Sequence, residues 1–413
     1  MTLPTAKDEI TGVPVSRITS GEGTHLLPYY TANALSADGR WCCCTSDVGG
    51  TRQAWVYAME SAQGRAVSDI AAGVLAESVA FHPTRPLLCF GTADGVFRHD
   101  LDSGRTEEMY HCGAGFRLQS EISLGREHLV FWVYEVLDPG RPADGQPPRG
   151  FHMFRCCRAY ILAIHIDTGA GEVVWGEAAP LTHPVISPTD ENLVLYANQG
   201  PHERLQELFT VARADRDDRT PRRLYTCSAQ RPVYVGHSFF TLDGWVGTQI
   251  VEFGGRREDG SLGDRVSGNA VIRPDGLRDR RARCPGGNKP MHAHAAYADS
   301  WWVGDSLPSE GANDPHMLCI MKNNWETGFV QAEPLAAHGC TCERPHHVHP
   351  RFSGDEKLVL FNSDFSGHCQ VYAADVGEFL AAWTDRAPFE PRAQRDCTPL
   401  VEQRRNPRHG PRA

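Results

Sequence analysis

The chain has 413 residues, 41% hydrophobic and 22% charged, the balance of a soluble folded protein with a large core. Its net charge is −10 and its 41 lysines and arginines form no long basic stripe, which argues against nucleic-acid binding. No run of about 18 apolar residues is present, so no membrane association through a spanning helix is expected.

The N-terminus, Met1 to Asp8, is polar and carries no apolar stretch of the kind a secretory signal needs. Fourteen cysteines without such a signal predict a reducing, cytoplasmic setting with most thiols free and buried.

Along the chain the elements repeat. The unit is a Ser/His-Pro opening, an Asp-Gly-like turn, an apolar strand, a second turn, and a strand ending near Asp. The clearest copy is Ala37-Asp38-Gly39-Arg40, then Trp41 to Asp47, Gly49-Gly50, and Gln53 to Tyr57. Its Cys42-Cys43-Cys44 reads as small core filler. The next runs from Phe81-His82-Pro83 through Leu87 to Phe90 and on to His99-Asp100-Leu101. Another covers Ile122-Ser123 to Trp132, with partner strands in Ala159 to Ile166. Then come His183-Pro184 to Pro188 with Leu193 to Tyr196, the His237 unit with Leu242-Asp243-Gly244-Trp245, and the His292 unit with Ser300 to Asp305. The last copy, Gly354 to Asp364 with Gly367 and Gln370 to Tyr372, nearly repeats the first.

Short strands rich in Val, Ile, Leu and Trp, separated by Asp-Gly turns, predict an all-β protein. Seven units at about 50 residues each fit the four-stranded blades of a seven-bladed β-propeller. The likeness of the end copies suits a closed ring, whose first and last blades must meet. A helical period survives only over Val376 to Trp383. The expected division is one propeller domain, 1–384, and an Arg/Pro-rich, poorly packed tail, 385–413. Residues 137–154 and 254–288 read as long insertions at the rims. Arg278-Asp279-Arg280-Arg281 reads as a solvated loop.

The candidate site is built from histidines. Arg344-Pro345-His346-His347-Val348-His349-Pro350 is the densest segment. Residues two apart in a strand share a face, so His347 and His349 are expected to reach one point. His237 and His292 open the two preceding units. Inner strands of a propeller converge on the axis, so these four side chains would face one cavity. Neutral imidazole binds zinc, manganese or iron. His294 and His346 are spare ligands or supports behind the ligands. His82 and His183 read as packing residues that cap inner strands. His202, after the Gly200-Pro201 turn, sits either on the histidine rim or in an exposed turn. Cys340-x-Cys342 has the wrong spacing for a zinc knuckle.

Together these residues resemble the oligogalacturonate lyase family, cytoplasmic enzymes with a seven-bladed β-propeller. The resemblance runs from Thr11-Gly12-Val13-Pro14-Val15-Ser16-Arg17-Ile18-Thr19 through His183-Pro184, Gly200-Pro201-His202 and the His237 segment. It continues in Val303-Gly304-Asp305, His347-Val348-His349-Pro350 and Asn362-Ser363-Asp364. It implies a divalent metal, Mn2+, on His292, His347 and His349, with His237 as catalytic base. Arg344 stands where the family has a metal-binding glutamine. A guanidinium cannot ligate a metal, so water, His346, Glu343 or substrate would complete the site. The family's catalytic arginine is replaced out of register by Arg204, and its His-Glu pair by Asn198-Gln199. Gln199, His202, Arg155 and Arg344 would contact substrate, with Arg158 a further candidate for the arginine's charge. The implied reaction is β-elimination on a uronic-acid oligosaccharide. Two alternatives stay open: an epimerase, isomerase or cyclase that also starts by proton abstraction beside a carboxylate, and a non-catalytic propeller that binds partners.

Overall fold

The computed structural model describes residues 5–136, 158–198, 207–213, 219–225, 233–253, 265–284, 293–295, 301–306, 317–339 and 347–384. Within them the strands form consecutive antiparallel meanders. The first blade is His25–Leu26, Trp41–Ser46, Gln53–Ala58 and Gly64–Ala66. The second is Val79–Phe81, Leu87–Thr92, Gly95–Asp100 and Thr106–His111. The third is Phe116–Leu124, His128–Glu135, Ala159–His165 and Gly171–Glu177. The fourth is Leu181–Ile186, Leu193–Asn198, Glu207–Ala212 and Arg222–Tyr225. The fifth is Val233–Phe240, Val246–Phe253, Arg265–Ile272 and Asp279–Arg283. The sixth is Ala293–Ala295, Trp301–Gly304, Met317–Asn324 and Phe329–Ala337. A single parallel bridge, Arg283 to Phe329, links the fifth blade's outer strand to the sixth's. The protein is an all-β propeller.

The seventh blade closes the ring. Arg351–Phe352, Leu358–Ser363 and Gln370–Asp375 supply its inner strands, and Pro14–Arg17 and Thr5–Lys7 its outer ones. Both chain ends of the ring thus share one sheet, as the likeness of the terminal repeats suggests. Gln370, buried, locks the join. It accepts from Thr19 Oγ1 at 2.7 Å and donates to the carbonyls of Gly23 at 3.0 Å and Gly21 at 3.3 Å.

Why the strands sort this way follows from burial. The first strand of a blade is buried, as at Val79–Phe81, and the fourth is exposed, as at Gly64–Ala66. First strands of neighbouring blades adjoin: 79–81 and 116–124, 116–124 and 181–186, 181–186 and 233–240. The middle strands are covered on both faces. Cys42 and Cys44 pack toward the seventh blade with Leu360, Val371 and Ala373. Cys43, between them, packs toward the second with Phe81, Leu88 and Phe90. Leu129, Phe131 and Val133 face one neighbour while Val130 and Trp132 face the other. Alternation with period two therefore produces unbroken apolar runs, because neither face meets water.

Two readings of the sequence are corrected. Residues 254–288 are no simple insertion, since they contain the strands Arg265–Ile272 and Asp279–Arg283. Arg278-Asp279-Arg280-Arg281 is largely strand rather than loop. An outer strand has one solvated side, so charge is compatible with it. Arg280 lies 4.9 Å from the Trp245 ring and Arg281 5.2 Å from Tyr225. The insertion 137–154, Cys340 and Cys342 lie outside the described residues.

By internal contacts the chain divides into Met1–Gly377 and Glu378–Ala413. The expected helix is present as Gly377–Thr384, and residues 385–413 are outside the described set. Among the described residues no helix is long and apolar enough to cross a membrane. Gln370→Ala should lower unfolding stability by about 1–3 kcal/mol, the usual consequence of orphaning buried hydrogen-bond partners. A urea midpoint equal to the parent's would show that ring closure does not depend on this side chain.

Candidate functional site on the propeller axis

The site starts from irregular backbone. Inner strands of the third, fourth and fifth blades each break register: between Leu118 and Ile122, Thr182 and Val185, and Gly236 and Phe239. Glu121, His183 and His237 sit in those breaks. A bulge re-aims a side chain that a regular strand would place in a sheet face. Among the described residues, six that are not glycine have left-handed backbones. Ala62 and Glu356 lie in turns. The other four are Glu77 at φ 64°, His183 at 56°, His237 at 51° and His349 at 45°. Left-handed backbone is unfavourable for L-residues and collects at functional sites. Here it recurs at the openings of four blades.

These side chains converge around Tyr29 and Tyr30, which follow the first blade's inner strand. The two tyrosine rings are 4.6 Å apart. Tyr29 stacks on His183 at 5.1 Å and meets His349 edge-on at 5.0 Å. Tyr30 lies 6.5 Å from His237 and 6.0 Å from His349. The rings of His183 and His237 are 5.7 Å apart, and those of His347 and His349 are 5.3 Å apart. Burial, then Tyr30 and the carboxylates of Glu121 and Glu77, push the Tyr29 hydroxyl well above its ordinary pKa.

Two carboxylates back the histidines. Glu77 Oε1 is 3.3 Å from His349 Nδ1. Glu121 holds His183 twice: its Oε1 is 3.0 Å from His183 Nδ1, and its Oε2 accepts the His183 backbone N–H at 2.8 Å. Burial alone would raise the Glu121 carboxyl. The charge of His183 and its hydrogen bonds outweigh burial and leave the carboxyl below its ordinary value.

Of the expected metal ligands and base, His237, His347 and His349 are described, and their rings lie around Tyr29 and Tyr30. The reason given for the last pair is corrected: residues 347–350 are not strand, and the strand begins at Arg351. His349's left-handed turn, not strand alternation, brings the rings together. His347 is anchored through its carbonyl, which accepts from Asn362 Nδ2 at 2.8 Å. His292, Gln199, His202, Arg204, Arg155, Arg344 and His346 lie outside the described residues. His294 sits 5.9 Å from Phe239, and its Nδ1 accepts the Phe352 N–H at 3.4 Å. Burial, with Arg351 nearby, holds its pKa well below the ordinary imidazole value.

His82 caps as expected, its Nδ1 accepting the Thr84 and Arg85 N–H groups. His183, expected to do the same, instead joins the axial cluster. Glu77, Glu121, Tyr29 and Tyr30 were not expected. The register break that brings in Glu121 has no mark in composition.

The arrangement offers imidazoles backed by carboxylates, the pattern that fixes tautomer and orientation in metal-ligating and acid–base histidines. His347 and His349, the described axial imidazoles of this pair, are donors of the kind a divalent metal takes. Another group, Glu127, His128 and Glu191, has ligand atoms within 4.8 Å of one another. It lies at hairpin turns, not in the axial cluster, and Glu191 already accepts the backbone N–H groups of Arg126 and Glu127. The left-handed backbone has a testable consequence at His237. His237→Gly should be more stable than His237→Ala by about 1 kcal/mol, because only glycine enters that region freely. Equal urea midpoints would contradict the strained geometry.

No protein-family model matches the chain. It is 27% identical over 237 residues to the oligogalacturonide lyase of Pectobacterium atrosepticum, covering 54% of this chain and 56% of that protein. It is 23% identical over 239 residues to the oligogalacturonate lyase of Dickeya dadantii, with the same coverage of 54% and 56%. The chain thus spans about half the length of the curated relatives it matches. Its fold is that of a solved oligogalacturonate lyase in complex with manganese, at TM-score 0.75 and 20% identity over 92% of this chain and 97% of that one. The Vibrio parahaemolyticus oligogalacturonate lyase gives TM-score 0.73 and 20% identity over 92% and 98%. By partial sequence match and by fold, the chain is similar to the oligogalacturonate lyases.

Proposed function

We propose that the chain is a metal-dependent lyase that cleaves a uronic-acid oligosaccharide, oligogalacturonate-like, by β-elimination. The observation that carries this reading is the convergence of His183, His237, His347 and His349 on one carboxylate-backed centre. The relatives' printed activities supply the substrate class.

In this reading His347 and His349, with His292, hold Mn2+. The ion would bind the substrate's carboxylate and draw charge from it, which acidifies the proton on the adjacent carbon. His237 takes that proton. Its side chain is partly buried, and its bulged backbone fixes where the ring points. The C4–O bond then breaks and a C4=C5 double bond forms. Arg204 supplies positive charge near the substrate, and Gln199, His202, Arg155 and Arg344 bind the sugar. Among the described residues all eight cysteines are free, which suits a reducing, cytoplasmic setting.

His347→Ala and His349→Ala should each lose bound metal by elemental analysis. His237→Ala should keep the metal and lose turnover by about 10²–10⁴-fold, read from ultraviolet absorbance of the new double bond with digalacturonate and manganese. Stoichiometric metal in the His347→Ala, His349→Ala double variant would refute the ligand assignment. Metal without turnover would move the chemistry to another carboxylated substrate, and neither would favour a binding propeller.

A further inference from the structure

We infer that His183, held by Glu121, donates the proton to the departing oxygen in this elimination, with His237 as the base. The inference rests on the lyase reading and deepens it.

Elimination from a sugar needs two proton transfers. One removes the C5 proton. The other caps the C4 oxygen, because a sugar alkoxide is a poor leaving group. The two events lie on adjacent carbons. An acid and a base each work within about 2.6–3.2 Å of their target atom. Two rings 5.7 Å apart are spaced to serve both targets together.

The geometry places the two roles. His183 has a carboxylate against Nδ1 at 3.0 Å, and that carboxylate also holds its backbone at 2.8 Å. Glu121 thereby fixes where the His183 ring points, beside the base. His237, the base in the lyase reading, lies beside it, with the rings of Tyr30 and His183 at 6.5 and 5.7 Å. The side chains of His183 and Glu121 are 12% and 13% exposed, so the pair is enclosed yet reachable. Packing alone does not explain a carboxylate placed behind a ring in a left-handed backbone.

The step balances. His237 takes the C5 proton, and the C5–H pair becomes the second bond of C4=C5. The C4–O pair leaves with the oxygen, which takes the His183 proton. His183 ends neutral and His237 charged, and solvent restores both.

The test compares two leaving groups on manganese-loaded protein: digalacturonate, and a galacturonate bearing a 4-O-dinitrophenyl group that departs without protonation. His183→Gln should lose about 100-fold or more in kcat on digalacturonate and less than about tenfold on the aryl ether. Glu121→Gln should show the same asymmetry to a smaller degree. His237→Gln should lose both activities. Calorimetric affinity of His183→Gln for galacturonate monomer should stay within about threefold of wild type, which separates a proton-donor role from a binding or folding one. Equal losses on the two substrates, or no loss, would overturn the assignment. Wild-type protein inert on both would overturn the lyase reading and this role with it.

Discussion

Burial of each blade on both faces is the constraint from which the rest follows. Cys43 looks to one neighbour while Cys42 and Cys44 look to the other. Apolar burial at roughly 25 cal/mol per Å² is thus shared between adjacent sheets, and no blade can satisfy its faces alone. A ring is the arrangement that leaves no blade with a bare face. The N-terminal strand Pro14–Arg17 completes it by pairing with Gln370–Asp375.

A closed ring points its inner strands at one axis, and there the regular pattern is broken. Register shifts in three blades and left-handed residues in four turn polar side chains inward. The rigid outer packing sustains this local strain. Function and stability are therefore separated along each blade: the middle strands supply the apolar contacts, and the inner strands give up some regularity to place His183, His237 and His349. Tyr29 and Tyr30 fill the space between these rings and fix their spacing.

The fold was legible because the repeat has a period that turns and apolar runs mark directly. The Asp38-Gly39 and Asp243-Gly244 turns have their expected left-handed glycines, at φ 70° and 86°. The polar strand Asp279–Arg283 was not legible, because an outer edge strand carries no apolar alternation. At the site, His237, His347 and His349 stood out by type and position. Glu77 and Glu121 did not. Each acts through a contact with a residue far off in the chain, 272 positions away for Glu77 and His349 and 62 for Glu121 and His183. His183 was visible but misread, because an opening histidine that caps a turn, such as His82, looks the same in sequence as one held by a carboxylate.

The axial histidines are proposed to form the metal centre. Diffraction from crystals grown with manganese, recorded at the manganese absorption edge, would locate the ion directly. A metal centre on these histidines predicts one strong anomalous peak at a ligand distance of about 2.0–2.3 Å from imidazole nitrogens of His347 and His349. A peak among Glu127, His128 and Glu191 with none on the axis would contradict it.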